Sequence, residues 1–140
     1  ASPALLAQFA TIAVPEQLSS LPWIAVNTFY QHNVSLSHQL SREPVTFPIT
    51  PRLSTDSIYV ARNAALAGLG VVVVSSWAVT EDIAQGRLVE LVPDWQAAPL
   101  PVHLVYPWSR YYPARLRRFL EMMREVMPEI AGMRRPEQKQ

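Results

Sequence analysis

The stretch from Arg52 to Trp95 constrains this chain more than any other. A polar cluster, Ser54-Thr55-Asp56-Ser57, opens a segment with Ile58, Ala61, Ala65 and Leu69 at spacings of three and four. That period is the signature of a helix with one apolar face, and its alanines allow close approach to a sheet. Gly68 stands where a left-handed residue ends a helix. Val71 to Val74 is a short, wholly apolar run, the pattern of a strand buried on both faces. Ser75 and Ser76 cap and open a second helix that stops near Gly86, with Trp77, Val79 and Ile83 as its apolar contacts. Arg87 to Val92 reads as a further strand. Helix, strand, helix, strand with short connections predicts an α/β sheet domain.

The flanks follow the same reading. Ser2-Pro3 starts a short helix over Ala4 to Phe9, because Ser caps well and Pro suits the first helical position. Val14 to Leu18 forms a helical turn ending at Ser19-Ser20. Trp23 to Tyr30 is rich in strand formers, and Asn33 to His38 alternates weakly. Pro44, Pro48 and Pro51 demote Val45 to Leu53 to an edge strand or extended connector. Pro93 to Pro101 reads as a loop and Val102 to Tyr106 as a strand. Pro113 starts a last helix with its apolar stripe at Leu116, Phe119, Leu120, Met123 and Met127. Arg117 and Glu121 have the i,i+4 spacing of a weak helical ion pair.

Chemistry is scarce. The chain of 140 residues is 49% apolar with a formal net charge of +1, which suits one globular domain and no nucleic-acid surface of its own. The late arginines are interleaved with Glu121, Glu125 and Glu129, as on a solvated helix face. There is no cysteine, so no thiolate metal site, disulfide or cysteine nucleophile exists. His32, His38 and His103 show no ligand spacing, and no metal or cofactor is expected. Ser75 and Ser76 lack the glycine-flanked elbow of a nucleophile. Gly68-Leu69-Gly70 follows a helix rather than a strand, which is the wrong order for a dinucleotide fingerprint. Glu81 and Asp82 read as favourable charges in the first turns of a short helix. No catalytic residue is assigned. No apolar run is long enough for a membrane span, and ASPALLAQF has no signal-peptide pattern. The missing initiator Met suggests a piece of a longer protein.

Two places gather hydroxyls and free backbone N–H groups at a helix start, which favours an anion. They are Ser2 and the cluster Ser54 to Ser57. Asp56 is the first choice of cap for its helix, with Thr55 and Ser57 as competitors.

The run NAALAGLGVVVVSSWAVTEDIAQGRLVELVPDW, a strand ending Val105-Tyr106-Pro107 and an arginine-bearing last helix resemble the effector-binding domain of LysR-type transcriptional regulators. ASPALLA followed by VPEQLSSLP is similar to that family's SPxYL…PxDL segment. The resemblance implies a lobe like that of type 2 periplasmic binding proteins, a mixed sheet flanked by helices. Residues 1–107 would form the second lobe with the return crossing, 108–131 the last helix of the first lobe, and 132–140 a disordered tail. It implies a cytoplasmic, non-catalytic sensor that binds a small, anionic effector between lobes. Its partners would be a homodimer or higher homo-oligomer, and DNA through an N-terminal domain absent from this chain. Ser2, Thr55, Asp56 and Ser57 match positions that face the cleft in the family. Asp56-Ser57 departs from the Asn-Asp of several members, and an Asp56 carboxylate in the cleft would repel an anion. A solute-binding lobe of a transport system is the rival on the same fold.

Overall fold

A computed structural model describes residues 1–28, 30–130 and 132–133. It divides the chain into two compact units, Ala1–Pro99 and Leu100–Gln140.

The first unit is built on one short strand. β1 (Trp23–Val26) is buried at all four positions. Side chains of a strand alternate between faces, and here the alternation feeds two separate cores. Trp23 and Ala25 join Leu5, Leu18, Val34, Phe47 and Val71 in one cluster. Ile24 and Val26 join Ala61, Ala64, Ala65, Val79 and Leu88 in the other. Each large apolar side chain so enclosed stabilises by roughly 1.5–3 kcal/mol. Trp23 also needs a partner for its indole N–H, and Nε1 donates to the Leu18 carbonyl at 2.7 Å.

β1 pairs in parallel with β4 (Pro51–Thr55), with Val26 opposite Thr55. On its other side Val71 makes a single parallel bridge to Trp23. The run Val71–Val74 therefore does not form the ladder its sequence predicts. It still serves two faces: Val71 and Val73 pack on the first cluster, Val72 and Val74 on the second. A three-stranded antiparallel sheet, in the order β3 (Pro44–Pro48), β2 (Asn33–His38), β5 (Trp95–Ala97), contributes Val34, Leu36 and Phe47 to the first cluster. Both proline-bearing strands, β3 and β4, are edges, as a missing N–H requires.

α2 (Ile58–Leu66) supplies the second cluster with its alanine face. It ends as predicted. Gly68 has φ +75°, and the N–H groups of Gly68 and Leu69 close on the carbonyls of Ala65 and Ala64, each at 3.0 Å.

Other expectations change. The first helix is one turn, α1 (Pro3–Leu6), and the next is a 3-10 turn, Pro15–Ser20. The segment after Ser75 divides into a 3-10 turn, Ser76–Ala78, and α3 (Thr80–Ala84). Val79, at φ −129°, breaks the helix between them, and Ser75 makes no side-chain cap. Val79 is buried, whereas Trp77 and Ile83 are exposed. Arg87 to Val92 is not a strand. Arg87 and Leu88 are held by the Asp82 carbonyl, and Val92 turns the chain at φ +45°. The strand lies later, at β5, within the segment read as a loop.

In the second unit, residues 101–108 form no strand, and Val105 and Trp108 are 93% and 86% exposed. No β ladder among the described residues includes them. Pro113 precedes α4 (Ala114–Val126), of which only Leu120 is buried. Arg117 and Glu121 form no ion pair; among the described residues the two ion pairs both belong to Asp82. Of the tail, residues 134–140 lie outside the described residues.

Candidate functional site

The three parallel segments of the first unit end on the same side. β1 runs into Asn27 and Thr28, β4 into Asp56 and Ser57, and the Val71 segment into Ser75 and Ser76. Ligands of open α/β sheets bind at the carboxyl ends of parallel strands, where helix N-termini also converge. Asn27 continues the pairing, its N–H donating to the Thr55 carbonyl at 2.8 Å.

The turn between β4 and α2 is built from its own hydroxyls. Thr55 Oγ1 accepts from the Ser57 N–H at 3.1 Å, and Ser57 Oγ accepts from the Val60 N–H at 3.4 Å. Ser57, in extended conformation at φ −99° and ψ 119°, is the cap of α2. Asp56, the first choice from sequence, is not. Its side chain is exposed and has no hydrogen-bond or ion-pair partner among the described residues. The N–H groups of Ile58 and Tyr59, in the first turn of α2, have no intrahelical acceptor.

Ser2 stands elsewhere. It is buried, and its Oγ accepts from the Leu5 N–H at 3.4 Å, capping α1. A Cβ on Gly68 would lie 3.4 Å from that oxygen, so Ser2 is beside the C-terminal end of α2. Ser57 is at the N-terminal end, and a helix of this length spans about 14 Å. The structure thus groups Thr55, Asp56 and Ser57 and sets Ser2 apart from them.

The strongest charged arrangement is one that sequence reasoning missed. Asp82 of α3 is fully buried. Arg62 of α2 reaches it with Nε at 2.5 Å from Oδ2 and Nη2 at 2.8 Å from Oδ1. Arg87 adds Nε at 2.9 Å and Nη2 at 2.5 Å, both to Oδ1. The hydrogen bond from Arg62 outweighs the cost of burial and, with Arg87, holds the Asp82 carboxyl below its ordinary value of 3.8. One signal was available: an Asp on a short helix between two arginines that the predicted helices bring to the same layer. Among the described residues no group of His, Asp and Glu could hold a metal ion. No described helix is long and apolar enough to cross a membrane.

These features define an α/β lobe whose parallel segments end at a polar edge. Residues 1–128 match the family model "LysR substrate binding domain", and the chain belongs to that family. It is 33% identical over 125 residues to the HTH-type transcriptional regulator PtxR of Pseudomonas aeruginosa, covering 89% of this chain and 40% of that protein. It is 29% identical over 131 residues to an HTH-type transcriptional repressor of P. aeruginosa strain UCBPP-PA14, covering 92% and 41%. The chain therefore spans about two fifths of the length of these curated relatives. The regulatory domain of AphB in Vibrio vulnificus superposes with a TM-score of 0.73 at 24% identity, covering 90% of this chain and 62% of that one. That likeness agrees with the periplasmic-binding-protein-like fold expected from the sequence. The relatives are transcriptional regulators, which favours a regulator's effector-sensing domain over a transport lobe.

Proposed function

We propose that this chain is the greater part of the sensing domain of a LysR-type regulator, and that its effector is a small anion received at the Thr55–Ser57 edge. The match of residues 1–128 to the family model carries the reading. Support for the anion comes from the first-turn N–H groups of α2, the positive end of its dipole and the hydroxyls beside them. Ser2 enters as the cap that fixes α1. In this proposal residues 1–107 form one lobe with its crossing strand, and 108–131 return to a first lobe supplied upstream. The bare strand formers Val102 to Tyr106 would find their sheet partner there. Effector binding would favour one closure of the lobes and pass it through a homodimer or higher oligomer to a separate DNA-binding domain in the cytoplasm. The domain would have no catalytic step of its own.

The test is a thermal-shift screen of small carboxylates on the longer protein that carries both lobes. A ligand that binds only the folded state raises the melting temperature with concentration. The expected result is such a shift, lost when Thr55 and Ser57 are both replaced by Ala. A shift from neutral ligands alone, with carboxylates inert, would overturn the anionic assignment.

A further inference from the structure

The Asp82 cluster does more than join two helices. Its carboxylate holds Arg62 of α2, and its own backbone carbonyl accepts from the N–H groups of Arg87 and Leu88 at 2.8 and 3.2 Å. Two residues past Arg87, the Val89 N–H donates to the Ala1 carbonyl at 2.8 Å, and the Ala1 nitrogen donates to the Val89 carbonyl at 3.1 Å. The segment then turns at Val92 and continues into β5. A single buried side chain thus connects the helix whose N-terminus borders the strand edge to the backbone pairing at Val89.

The two arms of the connection differ in exposure. The Arg62 side chain is 27% exposed and bidentate, with Nη1 also held by the Asn63 Oδ1 at 3.3 Å. The Arg87 side chain is 46% exposed, and both its nitrogens compete for one oxygen, Oδ1. The Arg87 arm is the more open to water and so the easier to release.

We propose that the Asp82 cluster is a conformational coupling: Arg62 is its fixed arm and Arg87 its releasable arm, and through them α2 and the Val89–Ala1 pairing open together. A change at the N-terminal end of α2 is then carried to the stretch that leads into β5. The bearing on effector sensing rests on the function proposed above. The coupling itself does not, because it is measured without any effector.

The experiment is residue-resolved amide exchange on the 140-residue chain. In the unaltered protein the Val89 amide and the amides of Ala61 to Leu66 should share one protection level. Arg87→Gln should lower protection at Val89 by about tenfold or more and leave α2 and β2 as they were, because local openings exchange independently of the global one. Asp82→Asn should lower both Val89 and α2 relative to β2. If Asp82→Asn does not fold, Arg87→Gln decides alone, since its half-exposed side chain leaves the cores intact. Unchanged protection at Val89 in Arg87→Gln overturns the coupling. An equal fall across α2, Val89 and β2 overturns it too, because the cluster would then be a global stability element.

Discussion

Arg62 and Asp82, twenty residues apart in the chain, meet through two hydrogen bonds of 2.5 and 2.8 Å, one to each carboxylate oxygen. The pairing is two-pronged, and the acid has no contact with water. Arginine's planar fork matches a carboxylate in this way, which a lysine cannot do. Removing the negative charge leaves two guanidinium groups without their counter-ion. We expect Asp82→Asn to cost on the order of 2–3 kcal/mol, below the usual figure for a buried pair because both arginines keep partial contact with water. Denaturant titration checks it. Arg62→Ala should cost more than Arg87→Ala, and the reverse order would contradict the geometry.

The same group sets a pH dependence. The Asp82 carboxyl titrates below its usual value in the folded chain, chiefly through the hydrogen bond from Arg62. The folded state therefore binds its proton less readily than the unfolded state does. Its contribution is complete above the unfolded value, 3.8, and is lost as pH falls from there through the folded value. Thermal melts from pH 6 down to pH 3 should show this loss below about pH 4. In Asp82→Asn that part of the acid sensitivity should be absent.

Glycine positions separate strain from collision. Gly68 and Gly86 have φ +75° and +68°, and a Cβ at Gly86 would meet nothing within 4 Å. Gly86→Ala should cost about 1 kcal/mol from backbone strain alone. At Gly70 the Cβ would lie 2.7 Å from the Pro22 carbonyl oxygen. That oxygen accepts the Val71 N–H at 2.8 Å beside β1, so it cannot move freely. Gly70→Ala should lower stability further, by roughly 2 kcal/mol or more. Chemical denaturation of the pair of variants tests the order.

Asp56 offers a prediction on the proposed effector edge. Its exposed carboxylate is one residue from the cap of α2 and has no cationic partner among the described residues. An arriving anion would be repelled. Asp56→Asn should tighten binding of a carboxylate effector by about two- to fivefold, an exposed charge being worth up to about 1 kcal/mol. The gain should shrink as salt is raised. Calorimetric titration at two salt concentrations would show it, and weaker binding by the variant would contradict the assignment.

The legible parts of this fold are those where one local rule acts without rivals. Gly68 ends α2 because a left-handed residue is needed there. Pro44, Pro48 and Pro51 keep β3 and β4 at edges because the ladder cannot use them. The apolar run of Val71 to Val74 does reach two cores. The errors arise where a neighbour decides. Val102 to Tyr106 has the composition of a strand, but a strand exists only where another backbone accepts its hydrogen bonds. Trp95 to Ala97 lies among prolines and pairs because β2 passes beside it. Ser57 outcompetes Asp56 as the cap, a choice between adjacent residues that depends on the exact path out of β4. Asp82 carried no local sign of burial. Its environment is made by Arg62 and Arg87, and only the folded layer brings them to it.

The alternation along β1 has a last consequence. Trp23 and Ala25 face one cluster while Ile24 and Val26 face the other, so four consecutive residues are shared property. Loss of β1 itself removes both clusters together, because one backbone carries both, whereas an opening of α2 that leaves β1 in place is a smaller, local event. The first unit should therefore unfold in one cooperative step, with calorimetric and van't Hoff enthalpies equal, although its hydrophobic interior is physically two.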